Sequence, residues 1–338
     1  MEHAIKGGAK VWSTDNIGVR KRKIPCTWYA IGWSKELKAK PIKKRMLGRD
    51  IVLFRDQQGT AHALHAYCPH RGADLSLGRC AGGLLECAYH AWSFDGHGQC
   101  VDIPAHPGRA VPAFANTKSY PLIERIGLLW IYPMTRDLLD YEPEALKLVS
   151  PVLENPDYVL APYDAIWQAH LTRVVESVLD VAHVPIVHNK TIGKKSPKEI
   201  NIEFEAKDNR IRIRNGGGIL DYDFPQQWLL TPVKTEGSQF INFVTFSPIE
   251  EEVTAIYGLA GRNFAKFPGM NYIFSRYSSK VLKEDQGIVE SQHPRPIPDA
   301  LRLEAHMPAD GPQVRFRQRW YQFLTSSEPK IMISDAKA

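Results

Sequence analysis

The sequence lacks the long apolar run that a membrane-spanning helix requires. Its longest apolar stretches, such as residues 126–132, are far too short for that purpose. The N-terminus also lacks the continuous apolar segment of a secretory signal. With 43% apolar and 24% charged residues, the composition is ordinary for a protein with a substantial core. We therefore expect a cytoplasmic protein, and 338 residues suit two globular domains.

Cysteine is scarce, and the five cysteines are an odd number that forms no regular disulfide framework. Two of them stand beside histidines, which predicts metal binding in a reducing compartment. Nucleotide-binding signatures are missing as well. No Gly-x-Gly-x-x-Gly follows a predicted strand, and the glycines at 216–218 are typical of a turn. The chain should therefore need a separate reductase for any redox chemistry.

Strong charge of one sign is also missing, because the formal net charge is only +6 and does not suggest nucleic-acid binding. The basic residues are nevertheless concentrated early, at residues 20–23 and again between residues 35 and 45. They fit either a solvated surface or a docking face for an acidic redox partner.

The chain divides into two regions by its pattern of predicted elements. Short β-like runs broken by glycine turns fill residues 24–133, and a proline-bearing connection follows over 133–162. Apolar residues at three- and four-residue steps then predict a helix over about 172–183, and a last helix is expected over about 277–291. Alternating strands lie between the two helices. The second region should therefore be a twisted antiparallel sheet with helices against it.

The strongest signal is a pair of short motifs, Cys68-Pro-His70 and Cys87-Ala-Tyr-His90. Each motif offers one thiolate and one imidazole, so together they supply the two Cys and two His of a Rieske [2Fe–2S] cluster. A structural zinc site uses the same residue types, but it commonly groups its cysteines together and its histidines together. The interleaved order therefore favours the iron–sulfur cluster. The three remaining cysteines, 26, 80 and 100, have no partner at ligand spacing and are expected to be packed thiols.

The sequence surrounding these motifs resembles the cluster-binding loops of Rieske non-heme iron oxygenases. The resemblance rests on the stretches 68–78 and 87–96, and Ile103-Pro-Ala-His-Pro and Glu124-Arg-Ile-Gly-Leu-Leu-Trp are also similar to that family. The chain departs from the family pattern at Ala88, where proline is common, and at Ala91, where glycine is common. Neither residue is a ligand, so we expect changed loop packing or cluster potential and an unchanged ligand set.

A second candidate metal site lies in the stretch Glu176-x-x-x-Asp180-x-x-His183-x-x-x-x-His188. On an ideal helix the two histidines would point about 140° apart. Pro185 lies between them and should end the helix near His183, which would let His188 swing back toward a shared metal. Two imidazoles and one carboxylate make the facial triad of a non-heme Fe(II) site.

The resemblance implies which carboxylate completes that triad and how the two centres communicate. The stretch 283–292 resembles the late helix that carries the third ligand in related oxygenases, so Asp285 is the expected ligand, with Asp310 as the alternative. Asp180 is expected to bridge His183 and a cluster histidine, His90 of a neighbouring subunit. The family fold is α+β. It comprises an all-β Rieske [2Fe–2S] domain, here 24–140 after an N-terminal extension at 1–23, and a helix-grip (START-like) antiparallel-sheet catalytic domain at 141–338.

The resemblance also implies an activity. We expect the oxygenase component of a monooxygenase that hydroxylates a small organic molecule with O₂, assembled as a homotrimer. Electrons would come from NAD(P)H through a ferredoxin, a flavin reductase or both. Oxidative N- or O-demethylation and ring dioxygenation stay open as alternatives within the family. An electron carrier without oxygenase activity and a structural zinc protein are the alternatives outside it. The substrate does not follow from the sequence.

Overall fold

The computed structural model describes residues 22–199, 202–234, 236–267 and 269–334. The expected N-terminal extension at 1–23 therefore lies almost entirely outside the described residues. None of the helices in the described part of the chain combines the length and apolar character of a membrane span.

The first half of the chain consists almost entirely of short strands joined by tight turns. The strands are β1 (Lys23–Pro25), β2 (Tyr29–Trp33), β3 (Ile42–Met46), β4 (Arg49–Arg55), β5 (Ala61–His65), β6 (Arg79–Ala81), β7 (Leu84–Glu86), β8 (Ser93–Phe94), β9 (Cys100–Asp102), β10 (Ser119–Tyr120), β11 (Leu122–Arg125) and β12 (Leu128–Ile131).

These strands form small antiparallel sheets in the orders β10-β5-β4-β3, β11-β12-β2 and β6-β7-β8-β9. A core of apolar side chains from β4, β5, β7 and β8 lies beneath the β6–β9 sheet and includes Val52, Phe54, Leu64, Leu85 and Phe94. The two predicted cluster-binding motifs follow β5 and β7, so this core holds the bases of both loops together.

The second half contains one large antiparallel sheet. Its strands are β13 (Val159–Trp167), β14 (Glu203–Lys207), β15 (Arg210–Asn215), β16 (Gly218–Asp223), β17 (Gln227–Pro232), β18 (Phe240–Glu250) and β19 (Val253–Arg262). The spatial order is β13-β19-β18-β17-β16-β15-β14, so β13, which comes first in the chain, pairs with β19, which comes last. A final strand, β20 (Lys330–Met332), pairs with β1 and ties the end of the chain to the first half.

The helices of this half are α1 (Leu171–Leu179), α2 (Val184–Val187), α3 (Gly269–Glu290) and α4 (Gly311–Thr325). Of these, α1, α3 and α4 contact strands of the large sheet. The α+β class and the order of an all-β region before a helix-covered antiparallel sheet are confirmed. Three details of the prediction were wrong: α1 ends at Leu179 rather than near residue 183, α3 begins eight residues before residue 277, and α4 was not predicted.

The two halves pack against each other through a shared apolar core. Trp28, Trp33 and Trp130 from the first half contact apolar side chains of the large sheet such as Phe243. The indole nitrogen of Trp33 donates a hydrogen bond to Asp164 of β13 at 3.0 Å. This packing joins the β11-β12-β2 sheet of the first half to the large sheet within one chain.

Candidate metal centres

The two N-terminal loops have the same backbone hydrogen-bond pattern. The amide of Cys68 donates to the carbonyl of Ala73 at 2.8 Å, and the amide of Cys87 donates to the carbonyl of Trp92 at 2.9 Å. Both thiols are buried and they lie beside each other. Burial, together with the neighbouring Cys87 thiol, raises the pKa of the Cys68 thiol to about 11. Ionising Cys68 at neutral pH therefore requires a strong local positive charge, which iron supplies.

Each loop closes through a residue in the left-handed backbone conformation. The amide of Gly72, at φ +69°, donates to the carbonyl of Cys68, and the amide of Ala91, at φ +57°, donates to the carbonyl of Cys87. Glycine adopts this conformation freely, whereas alanine pays a steric cost. Ala91, at the position where glycine is common in the family, thus keeps the backbone geometry of the loop but holds its own backbone in a strained conformation.

The histidines of the two motifs meet at the tip of these loops. The ring centroids of His70 and His90 lie 4.5 Å apart, and Trp92 stacks on His70 at 4.5 Å. Nδ1 of His70 is buried and has no hydrogen-bond partner among the described residues, as expected of a nitrogen that is reserved for a metal. His90 is exposed at the surface. Two adjacent buried thiols and two adjacent imidazoles fit a Rieske cluster, with one histidine edge accessible from outside.

In the second half, three side chains converge on one point. Nε2 of His183 lies 3.2 Å from Nε2 of His188. Oδ1 of Asp285 lies 3.4 Å from the first of these nitrogens and 3.1 Å from the second. No other trio of His, Cys, Asp or Glu within the described ranges brings its ligand atoms within 4.8 Å of one another. Two imidazoles and one carboxylate with their ligand atoms this close fit a mononuclear iron site.

Local chain geometry explains how histidines five residues apart meet. Helix α1 ends at Leu179, and Asp180 is extended with ψ 116°, so its backbone turns away from the helix axis. The side chain of Asp180 then accepts a hydrogen bond from the amide of His183 at 3.2 Å. Pro185 occupies the first turn of α2, where its missing N–H costs nothing. The proline therefore begins a new helical turn, whereas the sequence pattern predicted that it would end the previous helix.

The electrostatics of the trio favour protonated imidazoles when no metal is present. Burial opposes protonation of His183, but Asp180 and Asp285 outweigh it and raise the pKa to about 9. The pKa of His188 is also raised: burial opposes this, and hydrogen bonds to Asp285 and Glu284 outweigh burial. Burial alone would raise the pKa of Asp285, but its hydrogen bonds and charge interactions with the two imidazoles outweigh burial, so the pKa is lowered. The ionised carboxylate is the form that can bind a cation.

A cavity of about 220 Å³ adjoins this trio. Asp285 and Asp310, the two carboxylates predicted as candidates for the third ligand, both line it. Asp310 lines the cavity, yet Oδ2 of its side chain accepts a hydrogen bond from the amide of Met307 at 2.7 Å, at the start of α4. Asp285 faces the imidazoles instead. Asp180 lies at the edge of the same cavity, with Oδ1 3.8 Å from Nδ1 of His183.

The cavity wall also carries a closed ring of ion pairs that sequence reasoning missed. Glu176 accepts from Arg173 at 3.0 Å and from Arg317 at short range. Glu304 accepts from the same two arginines at 2.7 and 2.6 Å. Both arginine side chains are almost fully buried. The only available sequence signal was Glu176, one helical turn before Asp180.

The structure also describes the remaining cysteines and the early basic residues. Cys26, Cys80 and Cys100 are free thiols without a cysteine neighbour at bonding distance. Within the basic stretch at 35–45, Lys43, Lys44 and Arg45 each pair with a carboxylate, and the other lysines, at 35, 38 and 40, are exposed. Residues 20 and 21 of the earlier basic stretch lie outside the described residues.

Two family models match the chain, one in each half. The Rieske [2Fe-2S] domain matches residues 27–121, and the vanillate O-demethylase oxygenase C-terminal domain matches residues 218–325. The first match includes both cluster motifs, and the second includes Asp285.

Curated relatives point to the same family. The chain is 25% identical over 332 residues to a 4beta-methylsterol monooxygenase of Methylococcus capsulatus, covering 89% of both proteins. It is 35% identical over 185 residues to the oxygenase component of dicamba O-demethylase from Stenotrophomonas maltophilia. That second match spans 55% of this chain and 53% of the relative, so it covers about half of each.

Solved structures share the fold. Dicamba monooxygenase bound to dicamba superposes with a TM-score of 0.77 at 24% identity, covering 89% of this chain and 97% of that one. Pseudomonas putida CBB5 NdmA superposes with a TM-score of 0.76 at 22% identity, covering 92% and 97%. Oxygenases of this type combine a Rieske [2Fe–2S] cluster with a mononuclear iron and receive electrons from outside. The chain belongs to the Rieske non-heme iron oxygenases, as an oxygenase component.

Proposed function

We propose that this oxygenase component hydroxylates a small organic substrate with O₂ at a mononuclear iron held by His183, His188 and Asp285. The observation that carries the proposal is the convergence of the two Nε2 atoms and the Asp285 carboxylate within 3.1 to 3.4 Å of one another. Two neutral imidazoles and one carboxylate leave coordination positions open for dioxygen and substrate.

The cluster ligands of the proposal are Cys68, His70, Cys87 and His90. When bound, the cluster supplies single electrons and the iron supplies dioxygen activation; the protein contributes binding, orientation and exclusion of water. With the cluster bound, His90 would present an exposed ring edge to a redox partner. Trp92, stacked on His70, shields the loop from solvent on that side.

Asp180 is proposed to link the two centres between subunits of a homotrimer. Its side chain contacts His183 while 34% of its surface stays exposed, so a histidine from a neighbouring cluster domain can reach it. Oxygenase components of the family work with separate redox proteins. For this chain we propose a ferredoxin, a flavin reductase or both, fed by NAD(P)H.

The proposed domain limits are 24–140 for the cluster domain and 141–338 for the catalytic domain, after an N-terminal extension. The family match at 27–121 supports the first domain. A cytoplasmic location is proposed from the free thiols of Cys26, Cys80 and Cys100, because reducing compartments keep cysteines unpaired.

Oxidative demethylation is the second candidate activity, because several relatives are named for it, dicamba and vanillate O-demethylases among them. It uses the same site, since hydroxylation of an N- or O-methyl group leads to loss of that carbon. Among the aromatic side chains of the large sheet, Trp167, Phe243 and Phe246 are fully buried core residues. Trp228 is partly buried and donates its indole N–H to the carbonyl of Val178 in α1.

The proposal is tested with the His183→Ala variant, reconstituted with reductase and screened for oxygen uptake coupled to product. We expect the variant to keep its cluster absorption and acid-labile sulfide, lose mononuclear iron and lose product formation. His97→Ala, at an exposed histidine, is the matched control and should behave as the parent protein. Product formation by a His183→Ala protein that holds no mononuclear iron would refute the proposal. Zinc without sulfide in the parent protein would refute the cluster assignment.

A further inference from the structure

We propose that Glu284 is a positioning residue that fixes the orientation and tautomer of His188. This inference rests on the proposed function, because it takes His188 as an iron ligand. It concerns a carboxylate that stands directly beside Asp285 in the sequence and serves a different purpose.

The evidence is a hydrogen-bonded chain of three side chains. Oε2 of Glu284 lies 2.8 Å from Nδ1 of His188 and 2.6 Å from the hydroxyl of Thr191. An ionised carboxylate only accepts hydrogen bonds, so both partners must donate. Nδ1 of His188 therefore carries its proton, and a neutral ring then has its lone pair on Nε2.

That lone pair faces the metal site. Nε2 of His188 lies 3.1 Å from Asp285 and 3.2 Å from Nε2 of His183. The His188 side chain is only 3% exposed, so water cannot easily replace Glu284 as the acceptor for Nδ1. Without Glu284 the ring would be free to adopt the other tautomer or to tilt out of the site.

Helix α3 can hold both edges of this ring because of its pitch. Consecutive helical residues project about 100° apart. Glu284 and Asp285 are thus directed to different sides of the same imidazole, one toward Nδ1 and the other toward Nε2. A single turn of helix supplies both a ligand and the group that orients a second ligand.

A tight turn after His188 presents Thr191 to Glu284. The amides of Thr191 and Gly193 both donate to the carbonyl of His188 at 2.9 Å. A side chain at Gly193 would meet the carbonyl of Val184 at 2.0 Å, so only glycine fits there. The turn keeps the Thr191 hydroxyl on the carboxylate and limits the rotation of Glu284 away from His188.

The two imidazoles are held unequally. His188 has its orienting carboxylate at 2.8 Å, whereas His183 has Asp180 at 3.8 Å. A carboxylate that accepts a hydrogen bond from a ligand imidazole makes that imidazole more basic and strengthens metal binding. Glu284 should therefore contribute more to metal affinity than Asp180 does.

The test uses Co²⁺ as a redox-stable probe on the full chain with its cluster intact and its mononuclear iron removed. We expect Glu284→Ala to weaken Co²⁺ binding by about 10- to 100-fold, in line with orienting partners of metal-bound histidines. The visible ligand-field bands of bound Co²⁺ should shift. Glu284→Gln, whose amide oxygen still accepts from Nδ1, should recover part of the affinity. Thr191→Val should lower the Co²⁺ affinity a few-fold, and Thr191→Ser should have the parent affinity.

Glu290→Gln is the matched control on the same helix, because that carboxylate accepts from the Gln168 amide and contacts no imidazole. It should bind Co²⁺ as the parent does. Parent-like affinity and bands in Glu284→Ala would overturn the inference while leaving the proposed function intact. A parent protein that binds no Co²⁺, or binds it equally after His183→Ala, would overturn the proposed function instead. If Glu284→Ala does not fold, the Thr191 pair decides: parent-like binding by Thr191→Val would count against the inference.

Discussion

Oδ1 of Asp180 lies 3.8 Å from Nδ1 of His183, on the ring edge opposite to Nε2, which faces Asp285. The same oxygen accepts a hydrogen bond from the backbone amide of His183 at 3.2 Å. Asp180 is therefore held by the chain itself rather than by the imidazole. This arrangement leaves the carboxylate in place even when its contact with the ring is weak.

The first prediction concerns charge at this position. Asp180→Asn keeps the size of the side chain and an oxygen that can accept from the His183 amide, so the backbone turn should survive. We expect iron and sulfide contents equal to those of the parent and oxidation slowed by about 100-fold. Single-turnover measurements with a pre-reduced cluster should show that electron delivery is the slow step.

Asp157→Asn, an exposed aspartate in a turn before β13, provides the control for this experiment. It should oxidise substrate at the parent rate. Full activity in Asp180→Asn would remove Asp180 from the electron route, and loss of mononuclear iron would make it a structural residue of the metal site.

The second prediction is that metal binding at His183 and His188 releases protons. Burial opposes protonation of His183, yet its two carboxylate neighbours raise the pKa to about 9, so the metal-free site holds protons at neutral pH. Metal ligands must be neutral imidazoles, and each displaced proton raises apparent affinity up to about tenfold for each unit of pH. Co²⁺ affinity should therefore climb between about pH 6.5 and pH 9 and then level off.

Calorimetry in buffers of different ionisation enthalpy measures the released protons directly. The stability of the metal-free protein should move in the opposite sense. A histidine whose pKa is raised by folding stabilises the fold fully below its ordinary pKa of about 6.5, and this contribution is lost as the pH rises toward 9. Affinity that is flat across this range would contradict the prediction.

Sequence patterns predicted which candidate side chains lie together better than they predicted the elements that carry them. Ligand chemistry is local: a thiolate and an imidazole two or three residues apart identify a cluster loop without knowledge of the fold. The end of α1 was not predictable in the same way. Asp180 leaves the helix because its side chain bonds the amide of His183, and such a competing hydrogen bond leaves no trace in apolar periodicity.

Helix α4 was missed for a related reason. Its buried side includes Gln313 and Arg317 beside Phe316 and Trp320, which breaks the expected apolar stripe. Arg317 is tolerated inside because Glu176 and Glu304, distant in sequence, neutralise it. The role of Glu284 was hidden in the same way, since only the fold shows which histidine edge each member of the Glu-Asp pair meets.

The third prediction uses the matched loop closures at Gly72 and Ala91. Left-handed backbone costs alanine about 1–2 kcal/mol, while glycine loses about 0.5–1 kcal/mol of chain entropy on folding. Ala91→Gly should therefore stabilise the protein by up to about 1 kcal/mol. Gly72→Ala should destabilise it by a similar amount through the backbone cost, since no atom of the described residues lies within 4 Å of the added methyl group.

Chemical denaturation with the cluster reduced and intact measures both changes. A combined Gly72→Ala, Ala91→Gly protein should return close to the parent stability, since the two loops are separate turns of the same geometry. Destabilisation by Ala91→Gly would mean that the Ala91 methyl group packs usefully and that the strain at φ +57° is compensated.

The last prediction concerns the ring of Arg173, Glu176, Glu304 and Arg317. Glu176 bonds both arginines, whose side chains are only 3% and 4% exposed. Removing one member of a buried ion pair leaves the others partly unpaired, which costs about 3–5 kcal/mol. We therefore expect Glu176→Ala to lower the free energy of unfolding by about 3 kcal/mol, at the low end of that range because Glu304 keeps its bonds to both arginines. Glu144→Ala, at a solvent-exposed pair with Lys147, is the control and should change the free energy of unfolding by less than about 1 kcal/mol.

Glu176 lies on α1 one turn before Asp180, so its loss can also disturb the metal site. Thermal unfolding and Co²⁺ affinity should therefore both be measured. A stable Glu176→Ala protein would mean that water replaces the carboxylate, and the ring would then not fix α1 against α4.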